Sequence, residues 1–113
     1  MIKAIRRFIE RGRKGYCYED LWSFDSFLSK LIASGLSDLK DICHGYPIDF
    51  DKFEDWLAVL DEMVYCFEEQ NRSISSWASE GILEQWQKRQ NYKADRLHRG
   101  LELLEKYYYN LWD

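Results

Sequence analysis

A chain of 113 residues is the size of one domain and long enough to bury a core without disulfides or a structural metal. Its three cysteines (Cys17, Cys43, Cys66) are odd in number and far apart, which argues against a disulfide framework and for reduced thiols in a cytosolic setting. No apolar run approaches the roughly 18 residues of a membrane span, and the N-terminus lacks the apolar core and small-residue cleavage site of a secretory signal. The net charge of −4 hides an asymmetry. Residues 1–14 carry Lys3, Arg6, Arg7, Arg11, Arg13 and Lys14 against Glu10 alone, while the rest of the chain is strongly acidic. Such a split informs contacts rather than fold. Aromatic residues make up 17%, which leans toward large-contact packing or a binding surface.

The first helix is expected from Ile2 to about Arg11, with Gly12 and Gly15 breaking it. Ile2, Ile5, Phe8 and Ile9 share one face and the arginines the other. A basic amphipathic helix of this kind suits a membrane surface or nucleic acid. The reading preferred here is a short helix packed on the body, its arginines facing water or an acidic helix. Direct nucleic-acid binding is not the expectation, because only six basic residues are involved.

A long helix follows over Asp20–Cys43, with Leu21, Leu28, Leu31, Ile32, Leu39 and Ile42 as its apolar stripe. Gly35 lies inside it and costs up to about 1 kcal/mol relative to Ala unless close packing needs it. The segment His44-Gly45-Tyr46-Pro47 then reads as a connection. Gly45 can take the left-handed conformation that closes a helix, and Pro47 cannot continue one. Either Asp49 or Asp51 can cap the next helix.

From Phe53 to Phe67 the pattern is the cleanest in the chain: Phe53, Trp56, Leu57, Leu60, Met63, Val64 and Phe67 form one stripe. Asp55, Glu62 and Glu69 repeat every seven residues on what should be the outer face, as do Glu54, Asp61 and Glu68. Carboxylates two turns apart make no metal cage. They form a solvated face, or a phosphate-mimicking one that competes for a basic groove on a protein partner. Residues 71–80 read as a polar connector. A helical pattern resumes from Ile82 to Trp112, as one helix or two, because 87–96 is polar nearly all round. Its aromatic end should not hang free in water. The fold expected is all-α: a single domain, a compact bundle of four helices, or five, with a long antiparallel pair at about 20–43 and 51–70.

Motifs of chemistry are missing from this pattern. There is no phosphate loop and no Cys/His set at zinc spacing, and neighbouring positions such as Cys43 and His44 point about 100° apart on a helix. The expectation is a protein that is not an enzyme and carries no cofactor or metal.

The order of several short motifs resembles an uncharacterised family of small proteins from tailed bacteriophages and prophages. The resemblance rests on the basic start, Asp20-x-Trp22-x-x-Asp25, Gly45-Tyr46-Pro47, and Trp56 with Leu60, Met63 and Phe67-Glu68. Gly100-Leu101 and Leu111-Trp112-Asp113 complete it. It covers most of the chain, lapses over roughly 71–95, and carries over no catalytic or ligand residue. What it implies is a phage accessory setting in the host cell cytoplasm. Within that setting the expected role is binding. The chain would antagonise host defence by sequestering a nucleotide signal or by blocking a host effector protein. The alternative is a structural or packaging component of the particle. A nucleotide pocket would draw on Trp22, Asp25, His44, Tyr46 and Trp112, with N-terminal arginines meeting phosphates. A protein target would meet Asp55, Glu62 and Glu69. Homo-oligomerisation stays open.

Overall fold

The computed structural model describes residues 2–72 and 82–112. Within them the chain is all-α, with four α-helices and no strand: α1 (Ile2–Lys14), α2 (Phe24–Ile42), α3 (Phe53–Glu69) and α4 (Ile82–Tyr107). Short 3₁₀ turns at Tyr18–Ser23 and Tyr108–Asn110 lead into α2 and out of α4. The expected connector lies outside the described residues from 73 onward.

Glycine chemistry ends α1 one turn later than its sequence suggests. Gly12 continues the helix, and Gly15 closes it with φ of 88°, its N–H donating to the Arg11 carbonyl at 2.9 Å. The long helix expected from Asp20 begins instead at Phe24, because the Asp20 side chain is engaged in a turn. The Cys17 N–H donates to Asp20 Oδ2 at 2.8 Å, and the Asp20 N–H donates to the Cys17 carbonyl at 3.0 Å. Helix α2 closes without help from Gly45, which has no positive φ. Cys43 turns extended and donates its N–H to the Leu39 carbonyl at 2.8 Å. The expected caps of α3 also fail. Lys52 stands at that position, with no side-chain bond to the helix.

Helix α3 carries the core. Trp56, Leu60, Met63, Cys66 and Phe67 are buried, as their spacing requires. The expected stripe of α2 is displaced: Leu21, Leu28, Leu31 and Ile42 are exposed, and the buried residues are Ser29, Ala33 and Leu36. Small side chains on that face let α2 approach α3, and Ile32 and Leu39 fill its edge. Helix α4 runs unbroken through its polar middle, and Leu103 and Tyr107 enter the core. Tyr107 packs edge-on to Trp56 at 5.3 Å between centroids, with Phe50 at 5.6 Å from Trp56. Beyond Tyr107 the aromatic end is largely in water, contrary to expectation: Tyr108, Tyr109 and Trp112 are exposed.

One contact sets the α3–α4 distance. A Cβ at Gly100 would lie 2.9 Å from Cys66 Cβ and 3.1 Å from a Phe67 ring carbon. Only glycine lets the helices meet there. Gly35, by contrast, has nothing within 4 Å and serves no close approach. Helices α2 and α4 each pack on α3 but make no close approach to each other, and among the described elements α1 meets only the 3₁₀ turn. The resulting radius of gyration is 17.3 Å. A compact chain of this length would have about 13 Å.

The two glycines should respond oppositely to alanine. Gly35→Ala is expected to raise stability by about 0.5–1 kcal/mol through helix propensity. Gly100→Ala gains the same propensity yet should lose about 1–3 kcal/mol net, because the new methyl overpacks the contact with Cys66. Urea midpoints measure both, and a stabilised Gly100 variant would refute the close approach.

Candidate binding surfaces

The N-terminal helix is held by its polar side. Arg6 bridges Glu10 and Glu19, the latter at 2.5 Å, and Arg7 Nε reaches the same Glu19 oxygen at 2.8 Å. Arg11 grips Asp20 with two nitrogens at 2.8 and 3.1 Å. Glu10 accepts the Tyr18 N–H at 3.0 Å. The Arg7 and Arg6 guanidiniums hold the Glu19 carboxyl down at about 2. Arg11, together with the Cys17 N–H, keeps Asp20 well below the usual carboxylate range. Three half-exposed arginines are thus paired with Glu19 and Asp20 rather than with α3. The apolar side of α1 points away from the body: Ile2 is 85% exposed and Phe8 79%.

The five residues expected to form one ligand pocket are divided between the two ends of α2. At its start, Trp22 stands 72% exposed, edge-on to Tyr18, and Asp25 enters the groove between α2 and α4. At its end, Tyr46 and Trp112 share a recess of about 180 Å³ with Pro47 and Asn110, beside an exposed His44. Helix α2 has 19 residues, so at about 1.5 Å per residue roughly 28 Å separates the two groups. The five residues are not brought together, because the continuous helix α2 lies between the two groups.

The acidic row also changes character along α3. Asp55 is exposed, Glu62 accepts from Arg99 Nε at 3.0 Å, and Glu69 is fully buried. Glu69 lies 2.7 Å from Arg89 and 2.9 Å from Arg72, contacts close enough for ion pairs though not aligned as hydrogen bonds. A seven-residue repeat drifts about 20° per heptad on a straight helix, and α4 covers the side toward which it drifts. Glu69 is therefore a buried anchor for α4 and not part of an exposed row. Among the other acids, Asp61 pairs with Lys40 at 2.7 Å.

A groove that the sequence reading missed runs between α2 and α4 with α3 as its floor. It encloses about 490 Å³ and is lined by Asp25, Ser29, Phe67, Lys93, Leu97 and Leu101 among others. The displaced leucines of α2 were the available signal, since an apolar stripe off the buried face has to look onto something. No group of three or more potential metal ligands gathers among the described residues, and no described helix is long and apolar enough to cross a membrane.

These surfaces define an all-α protein with more apolar area uncovered than its core requires. Compared with known proteins, the chain matches no family model, no curated protein and no solved structure.

The clamp on α1 should depend on pH. Free carboxyls titrate near about 4, and those of Glu19 and Asp20 are depressed in the folded chain, so their contribution is present above that value. It should disappear as the pH falls toward about 2. Amide shifts of α1 in an acid titration, or of the Glu19→Gln/Asp20→Asn pair at neutral pH, should both report a released helix. Unchanged α1 resonances in the double variant would show that ion pairing does not hold it.

Proposed function

We propose that the protein is a phage accessory factor that works by binding in the host cell cytoplasm and antagonises host defence by blocking an effector protein. The observation that carries this reading is the aromatic end of the molecule. Tyr46, Tyr108, Tyr109 and Trp112 are 45, 61, 88 and 73% exposed, and Trp and Tyr are the side chains that dominate protein-binding hot spots. The phage setting rests on the motif order described above. Asp55 and Glu54 add an exposed acidic flank.

Catalysis is disfavoured by the state of the nucleophiles. All three cysteines are buried, and burial pushes the Cys66 thiol up, toward its unreactive protonated form. His98 is exposed and paired with Glu102 at 2.6 Å. Sequestration of a nucleotide is the weaker branch. The groove has the size of a small-molecule site, but Lys93 is the one cation among its lining residues. The architecture behind this proposal is one domain of bundled helices with α2 and α3 antiparallel. Contacts of Asn71 with the Ser26 carbonyl and of Asp61 with Lys40 support that arrangement.

Plating of a defence-sensitive phage on cells expressing the chain tests the role. The wild-type chain should raise plating against at least one defence system. Tyr109→Ala/Trp112→Ala should lower that gain about tenfold or more, as loss of a hot-spot contact worth about 1.4 kcal/mol would. No gain across a panel of defences would sink the antagonist reading. Recovery of the chain in purified particles would instead favour a packaging or structural part.

A further inference from the structure

Helix α4 is attached to the molecule in two chemically different ways. From Gly100 onward it is packed: Gly100, Leu103 and Tyr107 are buried, the glycine against Cys66 and Phe67 and the other two in the core. Before Gly100 none of its described residues is buried, and residues 83–88 are all exposed. That half meets α3 chiefly through polar groups. Gln70 Nε2 donates to the Lys93 carbonyl at 2.9 Å and to the Cys66 carbonyl at 3.1 Å. The Tyr65 and Tyr92 hydroxyls are hydrogen-bonded, and Arg89 lies 2.7 Å from the buried Glu69. We propose that residues 83–97 are a latched arm, which opens from α3 as one unit with Glu69 as its catch while residues 100–107 stay in the core.

Glu69 makes the latch two-state. It is fully buried, and neither of its oxygens is aligned for a hydrogen bond. A partial opening that drew Arg89 away without admitting water would leave an enclosed charge short of a partner, which is costly. Full opening hydrates both groups. Arg72, with its side chain 59% exposed, belongs to the α3 side and stays with the carboxylate when the arm leaves. Intermediate positions are therefore the least favourable ones.

Contacts internal to the arm keep it together as it moves. Arg89 and Arg96 each lie over the Tyr92 ring, at 5.6 and 6.0 Å from its centroid, and Gln87 donates to Asn91 at 3.0 Å. Segments with few buried apolar contacts open at a lower free energy than the core. The arm carries Gln90, Lys93, Ala94 and Leu97, which line the groove between α2 and α4, and the groove's floor is Phe67. One wall of that groove is thus movable, and its opening bares a ring that is 2% exposed when the arm is closed.

Native-state hydrogen exchange on the full chain tests the latch. In the wild type, amides of residues 86–97 should share one common protection, about tenfold or more below that of residues 101–107. Arg89→Ala should lower the protection of 86–97 by about a further tenfold and leave 101–107 within about twofold. Arg99→Ala breaks the exposed pair with Glu62 further along the same helix pair, and should move neither set by more than about threefold. Protection that falls smoothly from residue 97 toward 86 would show simple fraying of the helix end and overturn the latch. So would equal protection of the two sets in the wild type, or a loss in Arg89→Ala that residues 101–107 share. An Arg99→Ala effect as large as that of Arg89→Ala would remove Glu69 as the catch. Should Arg89→Ala fail to fold, Arg89→Lys, which keeps the charge without the planar fork, is read in the same way.

Discussion

The absence of a side chain at Gly100 is the constraint from which the rest of the arrangement follows. It lets the α4 backbone rest against Cys66 and the Phe67 ring, close enough that no larger residue fits without movement. With that distance fixed, Leu103 and Tyr107 fall one and two turns further on, where they meet Leu60, Met63 and Trp56. Toward the other end, Gln70 is brought within 2.9 Å of the Lys93 carbonyl, and Glu69 within 2.7 Å of Arg89. Helix α3 thereby becomes a shared support, with α4 on one side and the small-residue face of α2 on the other.

A shared support has a consequence for the surface. Helices that both pack on a third, yet not on each other, leave a cleft between them. The cleft opens where Leu28 on α2 and Leu101 on α4 are too exposed to serve the core. Apolar area left in water is a cost of about 25 cal/mol per Å². Glu69 adds a further one. A buried carboxylate stabilises only in company, and its partners Arg89 and Arg72 come from opposite sides of the connector, so it ties the end of α3 to the start of α4 rather than advertising charge.

Sequence patterning revealed the elements far better than it revealed their faces. The apolar stripe of helix α3 was legible because it is large, regular and backed by acids, whereas its cap and the burial of Glu69 were not. Helix α4 was legible as helix, but its polar middle concealed that it is continuous, since propensity and not burial maintains that stretch. In α2 the leucines looked like the core, and Ser29, Ala33 and Leu36 were the core. Periodicity weighs hydrophobicity, whereas close helix packing rewards small volume, and the two disagree here. The division of the five candidate pocket residues was hidden for another reason: Trp22 and Tyr46 look alike on paper, and only the length of α2 separates them.

The case of α1 reverses the usual meaning of amphipathicity. A surface helix normally turns its apolar face inward and its charges to water. Here two acids in one 3₁₀ turn, Glu19 and Asp20, capture three arginines and so fix the opposite orientation. Arg7 donates to Glu19 at 2.8 Å, and the Cys17 N–H holds the same Asp20 carboxylate that Arg11 grips. Charge pairing decides which way the helix faces because it is local, formed within about a dozen residues, and entropically inexpensive to close. The other face, with Ile2, Ile5, Phe8 and Ile9, is left exposed. Local electrostatics, and not burial, thus sets the orientation of the first helix.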